Sequence, residues 1–466
     1  MENENKERIK KFTQGYTFKI FMLILLVLLL LIPLMMIRGL ISERSYTAKS
    51  AENEVMEAWG SELFTAGPVI AIPGVRTEEL LTRTEKEGDK KEIIKKPFTL
   101  IIAPDKLDIK ADFTTVIRKR GIFSVPLFYG NLAFSGVINP GTAVSSLAPN
   151  EEIFLNQAEL IISLSSQKGI RKIEKAEWSG KELFFQPGNR ALAIARMPYT
   201  GANRYLESGQ LKSGIYAALP GFSNTVSAFA ISVSIQGGQL VRFLPVGKDT
   251  HVQFSADWAS PSFQGSFLPG SSNITDKDFD AVWDISYLSR DIPLFWKFES
   301  GENDKRDYSD SFFGINFFRA IDTYQLNTRA VKYAILFLVV PFLTLFLLEV
   351  FTKKRIHPVP YLLSGIANII FYLLLLSLSE QMQFYLAYMI ASAAVVILLT
   401  LYSRSLLPSW NKSWYMGLVV LLSYLLLYAV LNAESYALLI GSTGAFVVVA
   451  LVMYITRKLN WYGSDE

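Results

Sequence analysis

The sequence of 466 residues contains no cysteine and only two histidines, His251 and His357. Without cysteine, the chain cannot form disulfides, thiolate-ligated zinc sites or iron–sulfur clusters, and it has no thiol nucleophile. Two histidines are too few for a His-rich metal site, and a Ser-His-Asp triad would have to use one of them. Phosphate-binding glycine loops, zinc-protease helices and serine nucleophile elbows are also missing from the sequence. We therefore expect no metal, no cofactor and no enzymatic activity.

Charge and apolar residues are unevenly distributed along the chain. The formal net charge is only +4, and no extended basic block lies outside the loops that flank the predicted helices. This argues against nucleic acid as a partner. Apolar residues concentrate in 18–37 and 331–456, whereas 42–328 has the composition of a water-soluble domain. The sequence therefore predicts a membrane part, whose first partner is the lipid bilayer, and a soluble part.

The first apolar run, residues 20–37, follows a basic segment and consists almost entirely of Leu, Ile, Val, Phe and Met. It is longer than the apolar core of a cleaved signal peptide, and no A-x-A-like site follows it. It predicts an uncleaved signal anchor over 18–38, after a cytoplasmic tail of residues 1–17. Residues 42–60 are rich in Ala and Glu and lack Pro, so we expect the helix to continue to Gly60.

The C-terminal third contains five further runs long enough to cross the hydrocarbon core as helices. They lie at residues 331–351, 361–378, 384–402, 415–431 and 437–455. Lys and Arg occur in loops 352–358 and 403–412 and in the C-terminal tail, but not in loops 379–383 and 432–436. Because basic loops stay in the cytoplasm, this pattern predicts six spans with both termini in the cytoplasm.

Between the first and second spans the pattern changes to short β-strands. These runs are rich in β-branched and aromatic residues, and Gly, Pro, Asn and Ser clusters separate them. They lie at residues 98–103, 123–129, 132–138, 159–165, 226–235 and 252–256. Sequential short strands favour antiparallel sheets packed as a sandwich over a parallel α/β fold. The mixed-charge run 82–97 is interpreted as a solvated loop or hairpin tip. We expect Trp258, Phe263, Phe267 and Trp283 to be buried.

The predicted fold class is an α+β membrane protein with six transmembrane helices. A large extracytoplasmic β-sandwich-like domain is inserted between helices one and two. The predicted segments are a cytoplasmic tail at 1–17, the first span at 18–38, a periplasmic β-rich domain at 39–328, a five-helix bundle at 329–456 and a cytoplasmic tail at 457–466.

Four charged residues should meet at the outer end of the bundle. Glu380 and Glu434 stand at outer helix ends, and Arg329 and Lys332 begin the second span. An unpaired charge at a partly dehydrated boundary is costly. We therefore predict that at least one of the two glutamates pairs with Arg329, Lys332 or a base of the β domain, docking that domain on the bundle. The alternative is two solvated glutamates that mark helix ends.

Three polar residues in the C-terminal spans have both functional and structural interpretations. Glu349 lies in a span, where a carboxylate is often functional, but a local pair with Lys353 is the simpler interpretation. His357, before Pro358, is either a titrating switch or, as we favour, a residue that helps to start the next helix. Asn368 at mid-span is expected to hydrogen-bond to another helix. His251, the other histidine, is assigned no function.

Several stretches of this sequence resemble one bacterial family. They are residues 67–68 (GP), 72–73 (IP), 258–269 (WASPSFQGSFLP), 324–333 (YQLNTRAVKY), 357–358 (HP), 371–380 (FYLLLLSLSE), 436–442 (YALLIGS) and 456–462 (TRKLNWY). Together with the order of the segments, they resemble the CreD family of bacterial inner-membrane proteins from the first span to the last. The resemblance implies an envelope-integrity protein whose expression in relatives follows a two-component sensor, and it brings no established catalytic mechanism.

The chain departs from the family pattern at three places. The family's Trp-Pro-His-Pro-Ser-Phe is WASPSF at 258–263, its Ser-Glu-His is SEQ at 379–381, and its Asp-x-Arg-Gly-Ile is SQKGI at 166–170. Each change removes an ionisable group. A role that the family gives to those groups therefore does not carry over to this chain.

Three classes of function remain open. The first is a non-enzymatic integral membrane protein of the envelope, whose external β domain contacts envelope proteins or lipids. The second is a transporter or lipid-handling protein that uses the C-terminal helices, and it would need more polar residues at mid-depth than the spans contain. The third is a membrane-associated hydrolase, which the missing motifs weaken. We favour the first class.

The loop charges make a direct prediction about topology. Cysteine introduced at Ser379 or Ala433 should react with an impermeant thiol reagent added outside the cell, and cysteine at Lys354 or Ser405 should not. The natural chain has no cysteine, so only the introduced cysteine can react with the thiol reagent. Labelling of Lys354→Cys from outside would overturn the six-span arrangement.

Overall fold

The computed structural model describes residues 16–84, 88–188, 213–299, 308–317, 323–352, 354–406, 410–433 and 436–457. The chain divides into a membrane unit, residues 1–49 with 321–466, and a β unit, residues 50–320. Among the described residues, six helices are long and apolar enough to cross a membrane. The predicted fold class, six membrane helices with a large β domain inserted between the first and second, is confirmed.

Every predicted span falls within an observed helix. The helices are α1 (Tyr16–Trp59), a short α2 in the β unit (Gly141–Ser145), α3 (Thr323–Thr352), α4 (Pro358–Ser379), α5 (Phe384–Leu406), α6 (Trp410–Asn432) and α7 (Ala437–Thr456). Helix α1 has 44 residues and ends one residue before the predicted Gly60. This is about twice the length needed to cross the hydrocarbon core. Its last ten residues, 50–59, belong to the β unit.

The described part of the β unit is built mainly from β-strands. The strands are β1 (Leu63–Thr84), β2 (Gly88–Ile102), β3 (Lys106–Arg120), β4 (Phe123–Ile138), β5 (Glu151–Ile153), β6 (Glu159–Leu164), β7 (Ile170–Trp178), β8 (Lys181–Glu182), β9 (Gln186–Pro187), β10 (Ser213–Ala218), β11 (Ser227–Gly238), β12 (Leu240–Leu244), β13 (Asp249–Ala256), β14 (Ser262–Gly265), β15 (Ser271–Ile274), β16 (Phe279–Ser286), β17 (Phe295–Glu299) and β18 (Phe313–Asn316). Most neighbouring strands are antiparallel, while β12 with β1 and β13 with β3 are parallel.

The strands form two sheets that enclose one hydrophobic core. Sheet A has ten strands. Seven of them follow the order β14-β18-β12-β1-β6-β10-β9. In addition, β2 and β5 pair with β1, and β17 pairs with β2. Sheet B has eight strands, with the order β15-β16-β13-β3-β4-β11-β7-β8. Aromatic pairs join the sheets: the Phe243 and Phe254 ring centroids are 6.3 Å apart, and those of Trp283 and Phe313 are 5.6 Å apart. Side chains from both sheets therefore fill a shared interior, as in a β-sandwich.

Alternation of apolar and polar residues explains why these segments become strands. In β13, the side chains of Val252, Phe254 and Ala256 are buried, and the residues between them are more exposed. In β16, Ala281 and Trp283 are buried in the same alternating way. Successive side chains of a strand point to opposite faces, so each strand presents one apolar face to the core.

One detail of the predicted strands is wrong. Residues 123–129 and 132–138 form a single strand, β4, because Gly130 stays extended and pairs with Phe113 of β3. A Cβ at this glycine would collide with the backbone of β3, so glycine is needed here for a close approach rather than for a turn. The charged run 82–97 belongs to the far end of the β1–β2 hairpin, whose described strands pair up to Thr84 and Gly88, so it agrees with the hairpin interpretation rather than with a loop.

The sequence predicts that four aromatic residues are buried, and the structure confirms full burial for one of the four. Trp283 is buried in the core. Trp258, Phe263 and Phe267 pack against the core but are only partly buried. They lie on or beside β14, the edge strand of sheet A, where only one neighbouring strand covers them.

One buried carboxylate stands out among the charges of the β unit. The side chain of Glu151 is only 2% exposed, and it accepts hydrogen bonds from Arg76 Nε at 3.0 Å, Lys297 Nζ at 2.5 Å and the Ala148 N–H at 2.9 Å. Burial by itself would raise the pKa of Glu151. The bonds from Lys297, Ala148 and Arg76 outweigh burial and lower the pKa to about 2. The carboxylate is therefore stabilised in its charged form.

Glu151→Gln should destabilise the β unit, because Arg76 and Lys297 would lose a charged partner. We expect the free energy of unfolding to fall by about 1.5–3 kcal/mol near neutral pH. In the unfolded chain the pKa of this carboxyl is about 4.3. The contribution of the charged carboxylate to the free energy of unfolding is therefore fully present above that pH, and it is lost as pH falls towards 2. Thermal unfolding of the full chain in detergent, followed by circular dichroism across this pH range, measures both effects.

Glu174→Gln is the matched control, because Glu174 pairs with Lys172 at an exposed position. This control should change stability little. Parallel pH profiles for wild type and Glu151→Gln would contradict the role given to the buried carboxylate.

Candidate functional site: the charged ends of the first helix

Helix α1 carries a basic residue near each end of its membrane part, Lys19 and Arg44. Arg44 lies 25 positions after Lys19, which corresponds to about 37 Å at about 1.5 Å per residue. The hydrocarbon core is about 30 Å thick. The spacing therefore allows the two charges to lie near opposite surfaces of the membrane. Each of them meets a carboxylate that the C-terminal helices provide.

At the first end, Lys19 forms an ion pair with Glu349 of α3. Its ammonium also donates a hydrogen bond to the Ile356 carbonyl at 2.9 Å, and it lies 5.3 Å from the ring centroid of Tyr361. The Tyr361 hydroxyl, on α4, donates to the second Glu349 oxygen at 2.7 Å. Both charged side chains are largely buried, with 17% and 7% exposure. We call Lys19, Glu349, Tyr361 and the Ile356 carbonyl the Lys19 cluster.

At the other end, Arg44 makes a bidentate ion pair with Glu380, the residue that follows α4. Its Nε and a terminal nitrogen donate to the two Glu380 oxygens at 2.8 and 2.9 Å. The Tyr324 hydroxyl, in the first turn of α3, donates to Glu380 at 2.9 Å. Paired, planar contacts of this kind are among the strongest that a protein makes. We call these three residues the Arg44 cluster.

Each cluster contains a base, a glutamate and a tyrosine, and α3 and α4 exchange roles between the two clusters. Helix α1 provides the base in both. In the Lys19 cluster, α3 provides the glutamate and α4 the tyrosine. In the Arg44 cluster, the glutamate follows α4 and α3 provides the tyrosine. Gly365 of α4 lies between the clusters, where an added Cβ would collide with Leu30 of α1 and lie 2.8 Å from Phe342 of α3. The lack of a side chain there lets the three helices pack closely. Helix α1 is thus held to α3 and α4 at both ends and in the middle.

These contacts change the interpretation of two predicted site residues. Glu380 has a basic partner, but this partner is Arg44 rather than Arg329 or Lys332. Arg44 falls within the predicted domain 39–328, whereas the structure assigns it to the membrane unit. The pair therefore acts inside that unit and does not show a docked β domain.

The described contacts of Glu349 are to Lys19 and Tyr361, and its predicted local pair with Lys353 stays a prediction. Lys353, the expected partner, lies outside the described residues, and so does Glu434.

The remaining candidate residues occupy simpler positions. His357 is the N-cap of α4, and its Nδ1 accepts the Val359 N–H at 3.4 Å, as the favoured structural interpretation requires. On α3, Arg329 is half-buried and Lys332 is exposed.

The expected bonding of Asn368 to another helix is confirmed. Its amide nitrogen donates to the Phe337 carbonyl of α3 at 2.8 Å. Its oxygen accepts the Tyr424 hydroxyl of α6 at 2.5 Å. Both polar ends of this mid-span side chain are therefore used inside the bundle.

Sequence reasoning missed Lys19, Arg44 and the two tyrosines, Tyr324 and Tyr361. One signal was available. Lys19 and Arg44 flank the apolar run of α1, while Glu349 and Glu380 stand at opposite ends of the membrane helices that follow the β domain. Opposite charges at matching depths are expected to pair.

The described contacts of the clusters join α1 to α3 and α4. Each neutralises a base with a carboxylate and uses a tyrosine hydroxyl as a further donor. Within the described residues, no group of three or more His, Asp or Glu side chains could hold a metal ion. What the clusters do is fix α1 in the bundle.

The fold and these clusters define a class of protein: a multi-pass membrane protein with a large β domain between its first two helices. The family model described as "Inner membrane protein CreD" matches residues 15–462. The chain is 31% identical over 433 residues to the inner membrane protein CreD of Escherichia coli strain K12, which covers 92% of this chain and 90% of that protein. The chain therefore belongs to the CreD family, and it is a multi-pass inner-membrane protein.

Arg44→Gln and Glu380→Gln test the Arg44 cluster. Each change leaves a partly buried charge without its partner, so each should lower the free energy of unfolding by about 1.5–3 kcal/mol. The double variant should cost little more than either single variant, with a coupling energy of about 1–3 kcal/mol. Unfolding of the full chain by sodium dodecyl sulfate in mixed micelles, followed by circular dichroism, measures these energies.

Arg38→Gln serves as the control, because Arg38 is an exposed arginine on the same helix. It should unfold as the wild type does. Additive effects of Arg44→Gln and Glu380→Gln would show that the two groups do not depend on each other.

Proposed function

We propose that this protein is a non-enzymatic inner-membrane protein that supports the integrity of the cell envelope. Its β unit faces the extracytoplasmic side and contacts envelope proteins or lipids, and both termini are cytoplasmic. Membership of the CreD family and the charge pattern of the loops support this proposal. The single observation that carries it is the Arg44 cluster.

The position of the Arg44 cluster along the chain gives it this importance. The chain enters the β unit at residue 50 and leaves it at residue 320. Arg44 comes just before the first of these points, and Tyr324 comes just after the second. Both donate to one carboxylate, Glu380. The cluster therefore ties together the two segments through which any force on the β unit would reach the membrane unit.

A polar transport route through the bundle has less support. Transporters place unsatisfied polar or charged groups near the middle of the membrane. Here the mid-span amide of Asn368 is bonded at both ends. The Tyr388 hydroxyl donates to the Tyr424 carbonyl at 2.6 Å, which closes the same region further. The buried Tyr372 hydroxyl has no hydrogen-bond partner among the described residues, but a single group of this kind does not form a polar route. An anchoring role therefore fits this interior better.

Deletion and complementation in the host test the proposal. Cells without the protein should lyse more readily than wild-type cells when treated with bile salts or moved to low osmolarity. Wild-type protein and Arg38→Gln should restore survival fully. Arg44→Gln and Glu380→Gln should restore it only in part at equal membrane abundance, because the anchoring of α1 is weakened.

Abundance is measured by immunoblotting of membranes, so that lost function is separated from lost protein. Deletion cells that survive both treatments as well as wild-type cells, under conditions in which the protein is made, would refute the envelope role. Affinity capture in mild detergent, followed by identification of the proteins and lipids retained, would then identify what the β unit contacts.

A further inference from the structure

The membrane unit contains an apolar groove with a volume of about 1030 Å³ between helices α3, α6 and α7. Leu and Val side chains make up most of its wall. Residues 336–352 of α3 form one wall, 415–426 of α6 form the floor, and 439–455 of α7 form the other wall. We call it the α3–α7 groove. It lies away from the Lys19 and Arg44 clusters, neither of which contributes a residue to it.

Helix α7 leaves this groove open on its outer side. It approaches α6 closely at Gly444, where an added Cβ would lie 2.7 Å from a Leu426 methyl carbon. No residue of α7 is buried. Wall residues remain exposed on both sides of the groove, with Phe351 at 53% and Leu451 at 54%. An apolar surface of this size inside a membrane is open to molecules that move in from the bilayer.

The hydroxyl groups in the wall do not make the groove polar. Thr344, Thr352 and Ser423 each donate to a carbonyl three or four residues earlier on their own helix, at 2.7–2.8 Å. The hydrogens of these three hydroxyls are therefore already used, and the other hydroxyls in the wall are those of Thr443 and Tyr415. An occupant meets mainly methyl, methylene and aromatic carbon, which suits a hydrocarbon chain and offers little to a polar solute.

The shape of the groove favours lipid over a helix from a second copy. Helices pack closely in membranes through small residues that let their backbones approach. Most of the wall is made of Leu, Val, Ile and Phe side chains, and its one glycine, Gly444, already faces Leu426. The stretch 336–352 is about 24 Å long at about 1.5 Å per residue, so it extends through most of the hydrocarbon core of about 30 Å. A long, open, uneven channel of this kind fits flexible acyl chains.

Charge at one end indicates where the head group lies. Thr352 and Ile455 line the same end of the groove, and Arg355 and Arg457 follow them closely in the chain. Arg355 is exposed, and the Arg457 guanidinium lies 4.1 Å from the ring centroid of Tyr454. Guanidinium groups bind phosphate through paired, charged hydrogen bonds. Basic residues at a membrane surface also attract anionic lipids.

We propose that the α3–α7 groove is a binding site for an anionic phospholipid. Its acyl chains fill the groove, and its phosphate lies at the end marked by Arg355 and Arg457. This site is independent of the envelope role proposed above, because it would bind lipid whether or not the β unit contacts the envelope.

Native mass spectrometry of the full chain in detergent tests this site. The protein is titrated with dioleoyl phosphatidylglycerol and, separately, with dioleoyl phosphatidylethanolamine. Val448→Trp fills the groove, and Val449→Trp adds the same bulk one residue later on the exposed face of α7. Binding of phosphatidylglycerol should weaken at least tenfold in Val448→Trp and stay at the wild-type level in Val449→Trp.

A second filling variant, Leu343→Trp on the α3 wall, keeps the test valid if Val448→Trp fails to fold. It should show the same loss. Wild-type binding of phosphatidylglycerol in both filling variants would overturn the site. A wild-type dimer that either filling variant dissociates would also overturn it, because the occupant would then be a second copy.

The head-group end has its own test. Arg355→Gln combined with Arg457→Gln should reduce the preference for phosphatidylglycerol over phosphatidylethanolamine to about one, while binding of phosphatidylethanolamine stays unchanged. Lys332→Gln, near the opposite end of α3, should keep the wild-type preference. Loss of preference in Lys332→Gln rather than in the double arginine variant would place the phosphate at the wrong end and refute this part of the proposal.

Discussion

A charge at the edge of a hydrocarbon layer must find an opposite charge or water, and this constraint fixes the first helix. Lys19 and Arg44 are attached to a span that no short loop connects to the other five. Their carboxylate partners are 330 and 336 residues away along the chain. Because each ion pair also includes a tyrosine from a third helix, the two clusters determine which helices surround α1. Gly365 then allows the close contact that the charges demand.

The elements of this fold are largely readable from the sequence. Apolar runs of membrane length located all six spans, and alternation located most strands, because both patterns are local. Some predictions of strand bounds and burial were wrong because the local signal was ambiguous. Gly130 looked like a break between two strands, yet it is the point at which β4 approaches β3 most closely. The aromatics beside β14 were expected in the core, but strand order, which is not local, places them at an edge.

The candidate site was harder to predict for a related reason. Short loops require α3 to α7 to be neighbours, so the sequence predicts Arg329, Lys332 or a base of the β domain as a partner of Glu380. The spacing of four residues predicts Lys353 as the partner of Glu349. No loop length constrains α1, because the whole β unit separates it from α3. Glu380 and Glu349 were therefore recognised as residues that need a base, while the bases themselves were missed. By contrast, the role of His357 followed from its position before Pro358, which is a local signal.

The exchanged arrangement of the two clusters bears on how the protein is assembled. Translation delivers α1 long before α3 and α4, so Lys19 and Arg44 reach the bilayer before Glu349 and Glu380 exist. Their separation of about 37 Å exceeds the hydrocarbon thickness, so each can rest among lipid phosphates during that interval. Completion of the bundle is then an exchange of counter-ions, in which protein carboxylates replace phosphates. Neither base has to cross the membrane interior unpaired, and the nascent helix waits in the orientation it will keep.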